Sequence, residues 1–145
     1  GHVLDGDGNA VPDAMIEIWQ ADSAGRFAHP LQGGGANAAF KGFARADTDS
    51  EGAFAFETIK PGRVPGPGGE PQAPHILVAV FARGMLRHLY TRVYFDDEAS
   101  NVDDAILALV PADRRKSITA TRDLPGSYQF DIRLQGTDET VFFDL

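Results

Sequence analysis

Cysteine is absent from the 145 residues. That removes disulfides and thiolate metal ligands, and it fits a reducing cytoplasm. Long apolar runs are missing as well. The longest, Ile76 to Ala82, is far too short to cross a bilayer, and no charged-then-apolar leader opens the chain. Positive charge is scarce: 13 Lys and Arg stand against 21 Asp and Glu, and the net charge of -8 argues against nucleic acid or an anionic membrane as the main partner. Solubility is the plain reading of that acidity. An initiator methionine is missing too. Gly1 to Asp5 reads as a strand already under way into the turn Asp5-Gly6-Asp7-Gly8, so an upstream segment of the full chain is expected.

Histidine is sparse. His2, His29, His75 and His88 are scattered, and no pair has a metal-ligand spacing. The most informative absence is at Leu77. Alternate residues of a strand share a side, so a histidine there would form a two-imidazole clip with His75. One imidazole cannot hold a catalytic metal against water without further ligands. Any chemistry must then come from elsewhere in the fold or from another chain.

What is present is mostly period-two alternation. Ile16, Ile18 and Gln20 alternate with Met15, Glu17 and Trp19; Phe54 and Phe56 follow the turn Asp49-Ser50-Glu51-Gly52; Tyr128, Phe130, Ile132 and Leu134 alternate with Gln129, Asp131, Arg133 and Gln135. These read as half-buried strands. A more continuous apolar strand, Ile76 to Phe81, is followed after the turn at Arg83-Gly84 by Leu89, Thr91, Val93 and Phe95, facing opposite Tyr90, Arg92 and Tyr94. This pair is expected to be the central hairpin.

Helix is expected only from Asn101 to about Thr119. Asn101 would cap it, and Ile106, Leu109 and Val110 would form its apolar stripe until Pro111 divides it into two short pieces. Gly33-Gly34-Gly35 and the Pro- and Gly-rich Pro61 to Pro74 are expected as loops without regular ladders. With 16 Gly, 9 Pro and strands at short intervals, the expected class is all-β: a β-sandwich of mostly antiparallel strands with one or two short helices, as one domain over residues 1–145.

Two acidic loops resemble calcium sites only in part. Asp47-Thr48-Asp49-Ser50-Glu51-Gly52 has the early carboxylates and the glycine, but Thr58 stands where a bidentate Glu is required. In Asp5-Gly6-Asp7-Gly8-Asn9, Ala10 replaces the glycine and Ile16 the glutamate. Both read as solvated turns. No serine lies in a Gly-x-Ser-x-Gly turn, which argues against that hydrolase chemistry.

The string Glu17-Ile18-Trp19-Gln20-Ala21-Asp22-Ser23-Ala24-Gly25-Arg26-Phe27 is followed in order by Thr58-Ile59-Lys60-Pro61-Gly62 and by Pro74-His75-Ile76. Together they resemble the intradiol ring-cleavage dioxygenases, and the resemblance spans essentially the whole chain. Phe81-Ala82-Arg83-Gly84, the segment from Thr91 to Glu98 and the segment from Gly136 to Asp144 resemble one branch, the α subunits of the protocatechuate-cleaving members. In this family a ferric ion held by two tyrosinates and two histidines binds a catecholate, and the ring then reacts with O2 and opens between its hydroxyl-bearing carbons.

The resemblance places the four ligand positions at Phe27, about Val64, His75 and Leu77, and puts Gln72 where an arginine usually stands. One ligand of four is too few to hold ferric iron, so no metal is expected on this chain. The branch implies that Fe(III) is carried by a homologous β subunit, with this chain completing the cleft for protocatechuate and O2 in a higher-order hetero-oligomer. Arg83 matches an arginine that the resemblance places near the shared substrate cavity, where a guanidinium suits a benzoate carboxylate; a solvated charge at a hairpin turn is the other reading. Arg92, Tyr94 and Tyr90 are expected as cross-strand and interface residues. Two alternatives remain at this point: a self-sufficient dioxygenase in which His29, His88, Tyr90 and Tyr94 converge, and a non-catalytic β-sandwich binding module.

Overall fold

The computed structural model describes residues 1–28 and 40–144; the glycine loop expected at 33–35 and His29 lie outside them. The described residues form ten strands in chain order: β1 (Val3–Leu4), β2 (Ala14–Trp19), β3 (Phe43–Asp47), β4 (Val64–Pro65), β5 (Pro71–Gln72), β6 (Ile76–Ala82), β7 (Leu89–Phe95), β8 (Thr119–Leu124), β9 (Ser127–Gln129) and β10 (Ile132–Arg133). The described residues contain one short α-helix, α1 (Ala105–Leu109), flanked by the 3₁₀ turns Ala99–Asp103 and Arg115–Ile118. The class is all-β, as expected.

Six strands form one curled sheet in the order β3-β2-β6-β7-β8-β9, antiparallel throughout except for the parallel contact of β7 with β8. The central hairpin is β6 with β7, in a register that sets Leu77 opposite Arg92 and Ala79 opposite Tyr90. Ile16, Ile18, Val78, Val80, Val93 and Ala120 point from the sheet into one core, which β1 and β10 close with Val3 and Ile132. β-branched side chains fill this interlayer space because their stiff χ1 suits a pleated surface. On the other face of β7, Tyr94 joins Ala73, Leu107, Val110 and Ile118 in a second, smaller core.

Several local expectations are corrected. Phe54 and Phe56 pack on the main core, but outside any strand; Phe54 exchanges backbone hydrogen bonds only with Gly1. The alternation from Tyr128 to Leu134 is split, because β9 pairs with β8 whereas β10 pairs with β1, and the chain changes layers between them. The stretch 61–74 does form a ladder, two residues long, with Pro65 opposite Pro71 so that neither proline is required to donate. The helix cap is Asp104 rather than Asn101: its Oδ1 accepts from Ile106 N at 3.0 Å and Leu107 N at 2.7 Å. The buried stripe is accordingly Leu107 and Val110, and Leu109 is exposed.

The two acidic loops are turns, in which Asp5 Oδ1 accepts from Asp7 and Asn9, and Asp49 Oδ1 from Glu51 and Ala53. Among the described residues no helix is long and apolar enough to cross a membrane.

Candidate functional site

The four positions that the resemblance assigns to metal ligands lie on segments that the fold docks together. Asp22 organises the first: its Oδ1 accepts from Ala24 N and Arg26 N at 2.9 and 3.0 Å, and its carbonyl accepts from Gly62 N at 2.8 Å. Donation by the Arg26 backbone holds the Asp22 carboxyl below the usual carboxylate range, against the opposing effect of burial. The turn ends at Gly25, whose φ of 75° is the left-handed region; a β-carbon there would collide with the Arg63 carbonyl oxygen. Phe27 thus leaves a turn seated against the residues that lead into Val64. Val64 is buried in β4 opposite Gln72 in β5, three residues beyond Gln72 the chain reaches His75, and Leu77 is the second residue of β6.

Phe27, Val64 and Leu77 offer no atom to a cation. His75 is buried, and its Nδ1 donates to the Ala73 carbonyl at 2.8 Å. Burial pushes its pKa below the usual imidazole range, and the positive charge of Arg92 pushes the same way; the Ala73 carbonyl and Asp104 oppose them. Arg92, on β7 beside Leu77, donates from Nη1 to Gln72 Oε1 at 2.7 Å and to the Tyr94 hydroxyl at 3.3 Å. A guanidinium therefore stands among these positions. The residues do not fit a ferric ion: three side chains carry no ligand atom, the fourth is held by its own backbone neighbourhood, and a guanidinium stands beside them.

Of the alternative set, the described members His88, Tyr90 and Tyr94 do not converge. Tyr90 OH and His88 Nε2 hydrogen-bond at 2.6 Å, and His88 stacks on Phe81 with ring centroids 4.9 Å apart. Tyr94 instead donates to Asp104 Oδ1 at 3.1 Å. Burial, opposed by Arg92 and aided by Asp104, raises the Tyr94 phenol to about 12, so it stays protonated. Tyr94 is also wholly buried within this chain, which corrects its expected place at an interface. Among the described residues no three His, Asp or Glu side chains are placed to hold a metal.

Arg83 stands apart. It follows the last residue of β6, its side chain is 85% exposed, and its Nε donates to Asp13 Oδ2 at 2.9 Å. Leu77 and Arg83 are separated by six strand steps, about 20 Å at the usual rise. A cavity of about 660 Å³ lies between the layers, walled by Ile16, Phe56, Val78, Val93, Tyr128 and Phe130; neither Arg83 nor any of the four ligand positions borders it. The sequence singled out the ligand positions but not the Arg92–Gln72 bond or the buried Tyr94–Asp104 pair. The available signal for the first was Gln72 itself, a lost arginine on a segment next to a strand that carries one.

The family model described as "Dioxygenase" matches residues 1–136. The protocatechuate 3,4-dioxygenase alpha chain of Burkholderia cepacia is 51% identical over 152 residues, covering all of this chain and 75% of that protein. The beta chain from the same organism is 34% identical over 152 residues, covering 97% of this chain and 64% of its own. Among solved structures, the dioxygenase domain of a dioxygenase and carbohydrate-binding protein fusion from Streptomyces sp. SirexAA-E superimposes with a TM-score of 0.70 at 25% identity, over 94% of this chain and 77% of that one. The sequence motifs, the all-β fold and these similarities establish that the chain belongs to the intradiol ring-cleavage dioxygenase family.

Proposed function

We propose that this chain is the non-iron-binding α subunit of protocatechuate 3,4-dioxygenase. In that role it completes the active site and assembly of an enzyme that opens 3,4-dihydroxybenzoate between its hydroxyl-bearing carbons with O2, giving 3-carboxy-cis,cis-muconate. One observation carries the reading: the whole chain is 51% identical to a protocatechuate 3,4-dioxygenase alpha chain, and the resemblance assigns three of the four ligand positions to Phe27, about Val64 and Leu77, whose side chains have no ligand atom. In this reading the Fe(III) of the complex belongs to a β subunit, whose homology to this chain is supported by the 34% identity to a beta chain. Residues 1–145 act as one domain of a higher-order hetero-oligomer, and the cysteine-free composition suits a cytoplasmic setting.

Arg83 is the substrate-binding residue in this reading. It lies too far along β6 to serve the degenerate positions of its own chain, and its exposed guanidinium is suited to a benzoate carboxylate in a cleft shared with the partner. The test is iron content and 3,4-dihydroxybenzoate-dependent oxygen uptake, measured for this chain alone and co-expressed with its β partner. The expected result is neither property alone and both in the complex. Iron and turnover in the isolated chain would overturn the assignment.

A further inference from the structure

The four degenerate positions have not simply lost a metal. Arg92 connects three of them: it is the cross-strand neighbour of Leu77, it donates to Gln72, which faces Val64 across β4 and β5, and it donates to the hydroxyl of Tyr94, whose ring centroid lies 5.8 Å from that of His75. Directly opposed strand residues have β-carbons about 5 Å apart, so the root of the Arg92 side chain is next to the position where the family's second histidine would stand. The side chain is also held. Gln72 Oε1 accepts from it, and the Tyr94 hydroxyl accepts from it while donating to the fully buried Asp104. Asp104 is fixed in turn by donors from Ala73, Ile106 and Leu107. The chain of contacts runs from a cation through a neutral phenol to a buried anion.

We infer that the Arg92 guanidinium has taken over the positive charge of this place, so that restoring the missing ligands alone does not restore a metal site. A guanidinium is never deprotonated in a protein and offers only donors, so it can neither ligate a cation nor vacate its charge. Gln72 fits this account. The family's arginine is gone from that position, and the glutamine put there supplies the oxygen that anchors an arginine from β7. The inference rests on the reading of the chain as an iron-free subunit.

The experiment compares two variants of the full chain, each reconstituted with Fe(III). The first carries Phe27→Tyr, Val64→Tyr and Leu77→His; the second adds Arg92→Gln. Iron per chain and the visible tyrosinate-to-iron band are read, with circular dichroism to establish folding. At least tenfold more bound iron in the second variant is expected, and Arg92→Lys in place of Arg92→Gln should abolish the gain because it keeps the charge. Equal iron in the two variants, whether high or nil, would overturn the inference.

A milder pair guards against variants that do not fold: Leu77→His alone and Leu77→His with Arg92→Gln, titrated with Zn²⁺ by calorimetry. Weaker binding to the first is expected, and equal binding would count against the role of Arg92. Iron in the unsubstituted chain would instead overturn the underlying iron-free reading, so the two failures are distinguishable.

Discussion

The Tyr94 hydroxyl donates to Asp104 Oδ1 at 3.1 Å, and neither side chain retains solvent exposure. Asp104 also caps α1 and accepts from Ala73 N at 2.7 Å through Oδ2. One carboxylate thus ties β7, the helix and the segment before His75 into a single unit. A buried anion survives only when its lone pairs are used, and here four donors use them.

Asp104→Ala removes the cap and leaves the Ala73 amide and the Tyr94 hydroxyl without their partner. The expected loss is about 3 kcal/mol or more. Thermal melting of the chain should show it as a Tm lower by roughly 6–12 °C. Tyr94→Phe, which removes one donor and leaves the cap, should cost less than half as much. A larger loss from Tyr94→Phe than from Asp104→Ala would contradict this account of the unit.

His75 predicts a pH dependence. Its folded pKa lies below the unfolded value of about 6.5, so the unfolded chain takes up the proton first as pH falls. The stabilisation is therefore complete above the unfolded pKa and lost as pH drops toward the folded one, at no more than about 1.4 kcal/mol per pH unit. Urea unfolding between pH 7.5 and 5 should show a falling midpoint, and His75→Gln should flatten that part of the slope. An unchanged slope in the variant would show that His75 does not carry it.

The central hairpin was legible because Ile76 to Phe81 and the alternation around Val93 state their burial directly. The cap was not: Asn101 and Asp104 both suit a helix start, and only tertiary donors from Ala73 and Tyr94 favour Asp104. Phe54 and Phe56 have the period of a strand, yet period records which side faces the core and not whether a neighbour supplies a ladder. The proposed ligand positions come from the resemblance carried by the ordered motifs. The role of Arg92 could not be read there, since it depends on the register that pairs it with Leu77, and nothing in either strand alone sets that register.

Gly25 and Gly84 make a paired test of the site's geometry. Both have φ in the left-handed region, 75° and 83°, but a β-carbon at Gly84 meets nothing within 4 Å, whereas one at Gly25 collides with the Arg63 carbonyl. Gly84→Ala should cost only the conformational penalty, about 1–2 kcal/mol. Gly25→Ala should cost clearly more and loosen the turn that leads into Phe27 from the residues before Val64. Equal costs by chemical denaturation would mean that the docking of these two segments contributes nothing.

Arg83 offers the sharpest functional prediction, because any stability role and the proposed substrate role separate cleanly. With 85% of the side chain exposed and Asp13 as its partner in solvent, Arg83→Ala should change the stability of the chain by less than about 1 kcal/mol. In the assembled enzyme the same change should raise the KM for 3,4-dihydroxybenzoate roughly ten- to a hundredfold, the usual worth of a hydrogen bond between charged groups, and leave kcat nearly unaltered. Catechol, which has the ring hydroxyls but no carboxylate, is the control: its KM should not respond. A KM that rises for both substrates would indicate a disturbed cleft rather than a lost carboxylate contact. Unchanged kinetics with both would return Arg83 to the role of a solvated charge at a hairpin turn.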